Sequence, residues 1–207
     1  MKILAVSGSY RKGKTIDTLI DDAIAGIKKT APEIETEKVC LIDKNIKYCT
    51  NCMICKNDDP LKPAAKCAIR DDMQELYGKI LEADGYIFGT PVNCGSATAV
   101  MKTFLERSMW VFAKPGARPV NGYPIPRTET KKAAVFIISS GLVPPALRWF
   151  CDDAGKLLKD LCACGLNAKI VDNIYAGAVE KRGINYYSAR ARKSGEKLAR
   201  ELLRIRK

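Results

Sequence analysis

The chain has 207 residues, enough to bury a substantial core, and we predict one domain over residues 1–207. Its hydrophobic fraction of 47% and charged fraction of 28% are typical of a soluble globular protein, and no apolar run approaches the roughly 20 residues that a membrane-spanning helix needs. The formal charge of +12 indicates an anionic partner, while the absence of histidine excludes Ser–His and Cys–His catalysis and every histidine-ligated metal site.

Strands and helices alternate along the chain. Short apolar or alternating runs predict strands over residues 2–6, 35–42, 85–89, 133–138 and 168–175. Apolar residues at helical spacing predict helices around residues 16–27, 71–81, 100–109 and 145–164, and a basic helix over 188–207. Four prolines between residues 113 and 130 predict a long loop. This alternation predicts an α/β sandwich around a five-stranded parallel sheet.

Four cysteines are concentrated between residues 49 and 67. Cys49, Cys52 and Cys55 stand at intervals of three residues, and Cys67 follows later in the loop. Thiolates are soft ligands that favour iron–sulfur clusters or zinc. The C-x2-C-x2-C spacing is typical of a ferredoxin-type run and favours a [4Fe–4S] cluster, because structural zinc sites usually pair two C-x2-C units. Zinc and unligated thiols remain alternatives.

The other cysteines and the missing signal sequence bear on the compartment. The apolar run at the N-terminus is too short and too quickly broken by glycine for a signal peptide, which predicts a cytoplasmic protein. In that compartment, nine cysteines indicate metal-ligating or redox-active thiols rather than disulfides. We predict buried core thiols at Cys40, Cys151, Cys162 and Cys164. Cys94 has two readings, either a small buried thiol or part of a ligand loop.

The basic helix over 188–207 carries eight basic and two acidic residues, which is half of the excess positive charge. A solvated surface helix explains such a run, and the aromatic residues expected of a single-strand nucleic-acid binder are absent from it. Nucleic acid is therefore not an expected partner.

Three loops follow the carboxyl ends of predicted strands, at residues 8–15, 90–96 and 139–141. In an open parallel sheet, ligands bind at these ends. The first loop has the composition of a phosphate site, because its glycines let the backbone approach an anion and a helix N-terminus follows. It also matches G-x-x-x-x-G-K-[ST], but no predicted strand ends in the aspartate that a nucleotide triphosphatase uses to hold magnesium. A triphosphatase and a plain turn remain alternatives.

Together these segments resemble the flavodoxin-like NAD(P)H-dependent FMN reductases and, within them, the iron–sulfur flavoproteins. The resemblance covers about residues 1–175 and is carried by the loop 8–15, the cysteine run followed by Asp71-Asp72-Met73, and the segment 87–96 continuing to Lys102 and Phe104. It implies a flavodoxin-like three-layer sandwich. The implied cofactor-binding residues are Ser9, Arg11, Gly13, Lys14, Thr15, Thr90, Pro91, Val92, Asn93, Cys94, Gly95, Ser139, Ser140 and Gly141.

Within that set, the resemblance implies that Ser9, Arg11 and Thr15 hold the FMN phosphate. Residues 91–95 would line the isoalloxazine ring, and residues 139–141 would contact its other side. The four cysteines between residues 49 and 67 would ligate a [4Fe–4S] cluster. The sequence departs from the family pattern at Lys14, where asparagine is common, and in the longer gap before the fourth cysteine.

The implied function is electron transfer through FMN and a [4Fe–4S] cluster, between a donor that is ferredoxin or NAD(P)H and an acceptor. No side chain is required as a catalytic acid or base. The resemblance also implies a homodimer or homotetramer, and no membrane association is expected. The alternatives are an NAD(P)H-dependent FMN or quinone reductase without a cluster and, from another class, a zinc-containing nucleic-acid-binding module.

Overall fold

The structure is a computed structural model that describes residues 1–117, 121–150 and 152–206. Its strands are β1 (Lys2–Ser7), β2 (Glu35–Cys40), β3 (Gly85–Asn93), β4 (Ser96–Ala97), β5 (Ala113–Gly116), β6 (Tyr123–Pro126), β7 (Lys132–Ser139) and β8 (Ala168–Ala176). Its helices are α1 (Thr15–Thr30), α2 (Met73–Glu82), α3 (Ala99–Phe112), α4 (Asp153–Asp160), α5 (Val179–Arg182) and α6 (Asn185–Ile205). In the described part of the chain, no helix is both long and apolar enough to cross a bilayer.

The central sheet has the order β2-β1-β3-β7-β8, and each of these neighbouring pairs is parallel. This is the flavodoxin-like strand order, in which the chain reverses its direction of winding between β1 and β3. The five-stranded parallel sheet and the flavodoxin-like fold predicted from the sequence are therefore confirmed.

Two apolar layers cover the sheet because side chains alternate along each strand. On one face, Leu4, Phe88 and Phe136 pack in a core with α2, α3 and α4. On the other face, Ile3 and Ile87 pack in a core with α1 and α6. The result is a three-layer arrangement in which the carboxyl ends of the strands are left open for loops.

Helices α1 and α6 cross at two glycines. A Cβ atom at Gly195 would overlap the carbonyl oxygen of Ala23, and one at Gly26 would overlap the carbonyl oxygen of Arg192. The two backbones are in direct contact at this point, which only glycine permits. The basic helix predicted to begin at residue 188 begins three residues earlier, at Asn185, and Lys207 lies outside the described residues.

Two predictions of local structure are wrong. Within the segment 113–130, β5 and β6 pair as antiparallel strands, although the prolines predict a loop. Proline cannot donate to a ladder and is therefore found on edge strands. Both strands of a two-stranded ladder are edge strands, and Pro115 and Pro124 face each other across this one. Pro119 lies outside the described residues.

The predicted helix 145–164 is divided into a 3-10 turn over Pro145–Phe150, then α4, then a π-helical turn over Leu161–Gly165. The division has a local cause, because the Asp152 carboxylate accepts a hydrogen bond from the Gly155 N–H and starts a new helix. Among the thiols predicted to be buried, Cys162 and Cys164 are buried and Cys40 is half-buried. Cys151 lies outside the described residues.

Candidate functional site

A cavity of about 930 Å³ opens at the carboxyl ends of the strands, at the point where the winding direction reverses. The three loops predicted from the sequence form its walls. The predicted cofactor-binding residues that line it are Ser9, Arg11, Lys14, Thr15, Pro91, Val92, Asn93, Gly95, Ser139, Ser140 and Gly141. A cavity of this size is within the usual range for small-molecule cofactor sites.

The loop between β1 and α1 is held from beneath by a buried carboxylate. Asp17 accepts a hydrogen bond from the Ser7 hydroxyl at 2.6 Å and another from the Gly13 N–H at 2.9 Å. The Ser9 hydroxyl donates to the Arg11 carbonyl oxygen and accepts from the Arg11 N–H, both at 3.1 Å. These bonds fix the loop against the start of α1.

The N-terminus of α1 is open to the cavity. Lys14 stands at the N-cap and its side chain makes no capping hydrogen bond, so the N–H groups of the first turn have no side-chain acceptor from the cap. Arg11 and Lys14 are exposed and line the same cavity. Uncapped N–H groups, the helix dipole and two cations together favour an anion such as a phosphate.

The second loop is a tight hairpin between β3 and β4. Asn93 pairs with Ser96, and the two residues between them, Cys94 and Gly95, have φ angles of 48° and 76°. Positive φ at both central positions is the geometry of a type I′ turn. The turn presents Asn93 and Gly95 to the cavity, while Cys94 is exposed and does not line it. The reading of Cys94 as a small buried thiol is wrong.

Two other predicted residues also lie outside the lining, and both have internal partners. The buried Thr90 hydroxyl donates to the Pro91 carbonyl oxygen at 3.0 Å and accepts from the Thr98 N–H at 3.3 Å. The Gly13 N–H is occupied by Asp17. Both residues shape their loops from within.

A fourth wall was missed by the sequence reasoning. It consists of residues after β7 and β8, namely Leu142, Val143, Val179, Glu180, Gly183 and Ile184. The rule that identified the first three loops applies equally to the end of β8, so the signal was present in the strand pattern. Tyr10 also lines the cavity, and its hydroxyl accepts a hydrogen bond from the Ala99 N–H at 3.1 Å.

A second and smaller cavity, of about 30 Å³, is lined by all four cysteines of the loop 49–67. Asn51 and Met53, which stand between them, have φ angles of 50° and 63° and turn the chain sharply. Cys49 and Cys52 are exposed, whereas Cys55 and Cys67 are half-buried. Burial raises the pKa of the Cys55 thiol, and the nearby Cys67 and Cys49 sulfurs raise it further.

The cysteines share this cavity without forming a coordination shell. Among residues 1–117, 121–150 and 152–206, no three Cys, Asp or Glu side chains are grouped closely enough to hold a metal ion. Binding a metal centre would require the thiols to move closer together.

Two buried arginines lie behind the cysteine loop. On α3, Arg107 forms a two-pronged ion pair with Asp71 at 2.6 and 3.0 Å, and its Nη2 lies 3.6 Å from the Cys67 sulfur. After β6, Arg127 donates to the Cys55 carbonyl oxygen at 2.9 Å and to the Asp59 carbonyl oxygen at 2.7 Å. Both guanidinium groups are positively charged, so the surroundings fit a negatively charged centre bound by thiolates.

Sequence reasoning missed both arginines. For Arg107 a signal existed, since it follows Phe104 by three residues on the apolar face of α3, where a charged side chain is out of place. For Arg127 no local signal exists, because two of its three acceptors, the Asp59 and Cys55 carbonyl oxygens, lie 68 and 72 positions earlier in the chain.

An open parallel sheet in this strand order, with a cavity at its switch point, defines a flavodoxin-like α/β protein. A family model described as NADPH-dependent FMN reductase matches residues 1–141, and the chain belongs to that family. The family predicted from the sequence is thereby confirmed.

Two curated relatives carry a more specific description. An iron–sulfur flavoprotein of Methanocaldococcus jannaschii, MJ1083, is 37% identical over 108 residues, and one of Methanosarcina thermophila is 35% identical over 109 residues. The matches cover 52% of both chains in the first case and 53% of both in the second, so the similarity spans about half the length of these relatives.

Among solved structures, an azoreductase from Bacillus anthracis superposes with a TM-score of 0.68, covering 95% of this chain and 99% of the other. At 18% identity this likeness shows the fold alone.

Proposed function

We propose that this protein is an FMN-dependent oxidoreductase of the iron–sulfur flavoprotein type, which passes electrons between a donor and an acceptor through FMN and a [4Fe–4S] cluster. The observation that carries the proposal is that one chain holds two sites of different chemistry. One is a large cavity with an anion-binding helix end, and the other is a small cavity lined by four thiols. The names of the curated relatives support the same pairing.

In the large cavity, the start of α1 with Arg11 and Lys14 would hold the FMN phosphate. The rim of the β3–β4 turn, at Asn93 and Gly95, would lie along the isoalloxazine ring, and residues 139–141 would face its other side. FMN, once bound, supplies the exchange between hydride transfer and single-electron transfer. The protein contributes the position of the ring, backbone hydrogen bonds and exclusion of water.

In the small cavity, the ligands would be Cys49, Cys52, Cys55 and Cys67. A cluster bound there supplies single-electron transfer. Arg107 and Arg127 would balance its negative charge from the buried side. The chain's own part is to fix the sulfurs and to set the local charge.

We further propose that ferredoxin or NAD(P)H is the electron donor, that the chain forms a homodimer or homotetramer, and that it is cytoplasmic. Support for ferredoxin is electrostatic, because a formal charge of +12 favours an acidic protein partner. Support for NAD(P)H is the family's description.

An NAD(P)H-dependent FMN or quinone reductase without a cluster is the second candidate. It is favoured by one observation, that the cysteines of the described chain are not grouped as metal ligands. The zinc-containing nucleic-acid-binding module gains no support from a flavodoxin-like fold.

Anaerobic purification followed by an absorption spectrum and by analysis of flavin, iron, sulfide and zinc tests the proposal. We expect one FMN and about four iron and four sulfide per chain. FMN without iron would establish the second candidate instead. Zinc without flavin would contradict both candidates.

A further inference from the structure

Arg107 is more buried than Arg127, the other arginine behind the cysteine loop, and not all of its N–H groups have a hydrogen-bond partner. It is 3% exposed, and its ion pair with Asp71 is shielded from solvent on both sides. Arg107 Nη1 also donates to the Lys47 carbonyl oxygen at 2.7 Å, two residues before Cys49. These bonds attach the beginning of the cysteine loop to α3.

Two N–H groups of the Arg107 guanidinium have no oxygen acceptor. One Nη2 donor points at the Cys67 sulfur at 3.6 Å, and the Nε donor is buried with no hydrogen-bond partner. Arg107 lines the small cavity together with the four cysteines. A buried guanidinium donor without an acceptor is unfavourable and is rare in folded proteins. An anionic centre in the cavity would supply the missing acceptor.

The charge on the buried side of the cysteine loop is positive, which is the sign that attracts an anionic centre. Asp71 neutralises Arg107, whereas Arg127 forms no ion pair with a carboxylate in the described part of the chain and donates only to carbonyl oxygens. The buried side of the loop therefore carries net positive charge.

We propose that Arg107 is a positioning residue for the fourth ligand: it orients the Cys67 sulfur and donates it an N–H···S hydrogen bond, which raises the reduction potential of the cluster. The proposal rests on the [4Fe–4S] centre of the proposed function. Reduction adds one electron, and so one negative charge, to the cluster. Hydrogen bonds to the ligand sulfurs stabilise the more negative state.

The test combines a double variant with two matched variants. Arg107→Met with Asp71→Asn removes both members of the ion pair, so the net charge is unchanged and no carboxylate is left unpaired. Arg107→Lys keeps the charge but replaces the planar fork by a single ammonium group. Lys47→Gln removes one exposed positive charge from the same loop and leaves its carbonyl group in place.

Each protein is purified without oxygen, and its cluster is titrated potentiometrically with dithionite while EPR detects the reduced form. For the double variant we expect the equilibrium constant for reduction to fall at least tenfold, a shift of about 59 mV to lower potential for one electron. Arg107→Lys should show a smaller shift in the same direction. Lys47→Gln should match the wild type, because an exposed charge is screened by solvent and salt.

Iron and FMN contents separate the possible failures. A wild type with FMN and no iron would overturn the proposed function and this inference with it. A wild type with four iron and variants of unchanged potential would overturn this inference alone. FMN content also reports folding, since the flavin cavity does not include Arg107. If the double variant does not fold, Arg107→Lys decides the question by the same measurement.

Discussion

Asp17 illustrates how a single side chain organises the proposed phosphate site. Its carboxylate accepts the Ser7 hydroxyl and the Gly13 N–H, and it is buried beneath the loop. Asp17→Asn keeps the size but offers only one acceptor oxygen, so one of these donors loses its partner. Removing the Asp17 charge also removes its repulsion of the FMN phosphate, but we expect the loss of loop order to have the larger effect. FMN binding should weaken about tenfold.

Fluorescence titration of the apoprotein with FMN measures this effect. Asp21→Asn is the control, because Asp21 is exposed one turn further along α1 and pairs with Lys38 at the surface. Equal dissociation constants for the Asp17 variant and the wild type would show that the carboxylate does not organise the site.

Lys132 gives a pH-dependent contribution to stability. It is buried, and its Nζ donates to the Ile80 and Leu81 carbonyl oxygens and to the Tyr86 hydroxyl, each at 3.0 Å. Burial lowers the pKa of Lys132 to about 8, from the usual 10.5. Between these two values the unfolded chain binds more protons than the folded chain, so the stability contribution rises with pH across that window.

Urea unfolding at pH 7.5 and at pH 10 measures this change for the wild type and for Lys132→Met. We expect the wild type to gain roughly 1–3 kcal/mol relative to the variant over this range. Lys131→Met changes an exposed neighbour and keeps Lys132, so the wild type should show no such gain relative to this variant. A constant difference between wild type and Lys132→Met would mean that the ammonium group keeps its ordinary pKa in the fold.

The arginines missed by sequence reasoning have partners that only the tertiary fold brings close, whereas the predicted cysteines are close together in the sequence. Cysteine spacing is local information, and it predicted the four thiols that line one cavity. The side-chain partners of Arg107 and Arg127 are set by tertiary folding and lie 14 to 72 positions away along the chain. A sequence without an alignment shows a charge on an apolar helix face, but not what that charge contacts.

At the level of elements, the crossing of α1 and α6 depends on glycine. A methyl group at Gly195 would meet the backbone carbonyl of Ala23, which cannot move aside as a side chain can. We expect Gly195→Ala to lower the free energy of unfolding by about 1–3 kcal/mol as the helices separate. Thermal or urea unfolding measures this.

Gly78→Ala provides the opposite control on a different helix. Gly78 lies in α2, and an added Cβ would have nothing within 4 Å. There, alanine should stabilise the protein by about 0.5–1 kcal/mol through its higher helix propensity. If both substitutions were stabilising, the close approach at Gly195 would not be a real constraint.

The elements were predictable where a regular hydrophobic pattern ran without interruption from one end of the element to the other. All five strands of the parallel sheet were predicted, because each is a short apolar or alternating run. The division of the segment 145–164 and the strands β5 and β6 were not. In the first place, the capping Asp152 carboxylate starts a new helix within the apolar pattern. In the second, two short strands pair despite their prolines.

At the scale of the whole molecule, the net positive charge provides a test of ferredoxin as the proposed donor. With a formal charge of +12, encounter with an acidic ferredoxin should be electrostatically steered. We expect the rate of reduction by reduced ferredoxin to fall at least tenfold between about 50 and 300 mM KCl, because the Debye length shortens over this range. Stopped-flow absorbance at the flavin band measures the rate.

The total flavin and iron reduced at long times should not change with salt, which controls for loss of cofactor. A rate independent of salt would rule out steering by the basic surface and would leave NAD(P)H as the donor to test.

Helix α3 connects the two proposed sites directly. At its start, the Thr98 hydroxyl donates to the Gly8 carbonyl oxygen at 2.7 Å, beside the large cavity. Nine residues later, or about 14 Å along the axis, Arg107 lines the cysteine cavity. One residue inserted between them would turn Arg107 by about 100° away from Cys67. During evolution, relatives with both sites should therefore keep the number of residues between 98 and 107 constant.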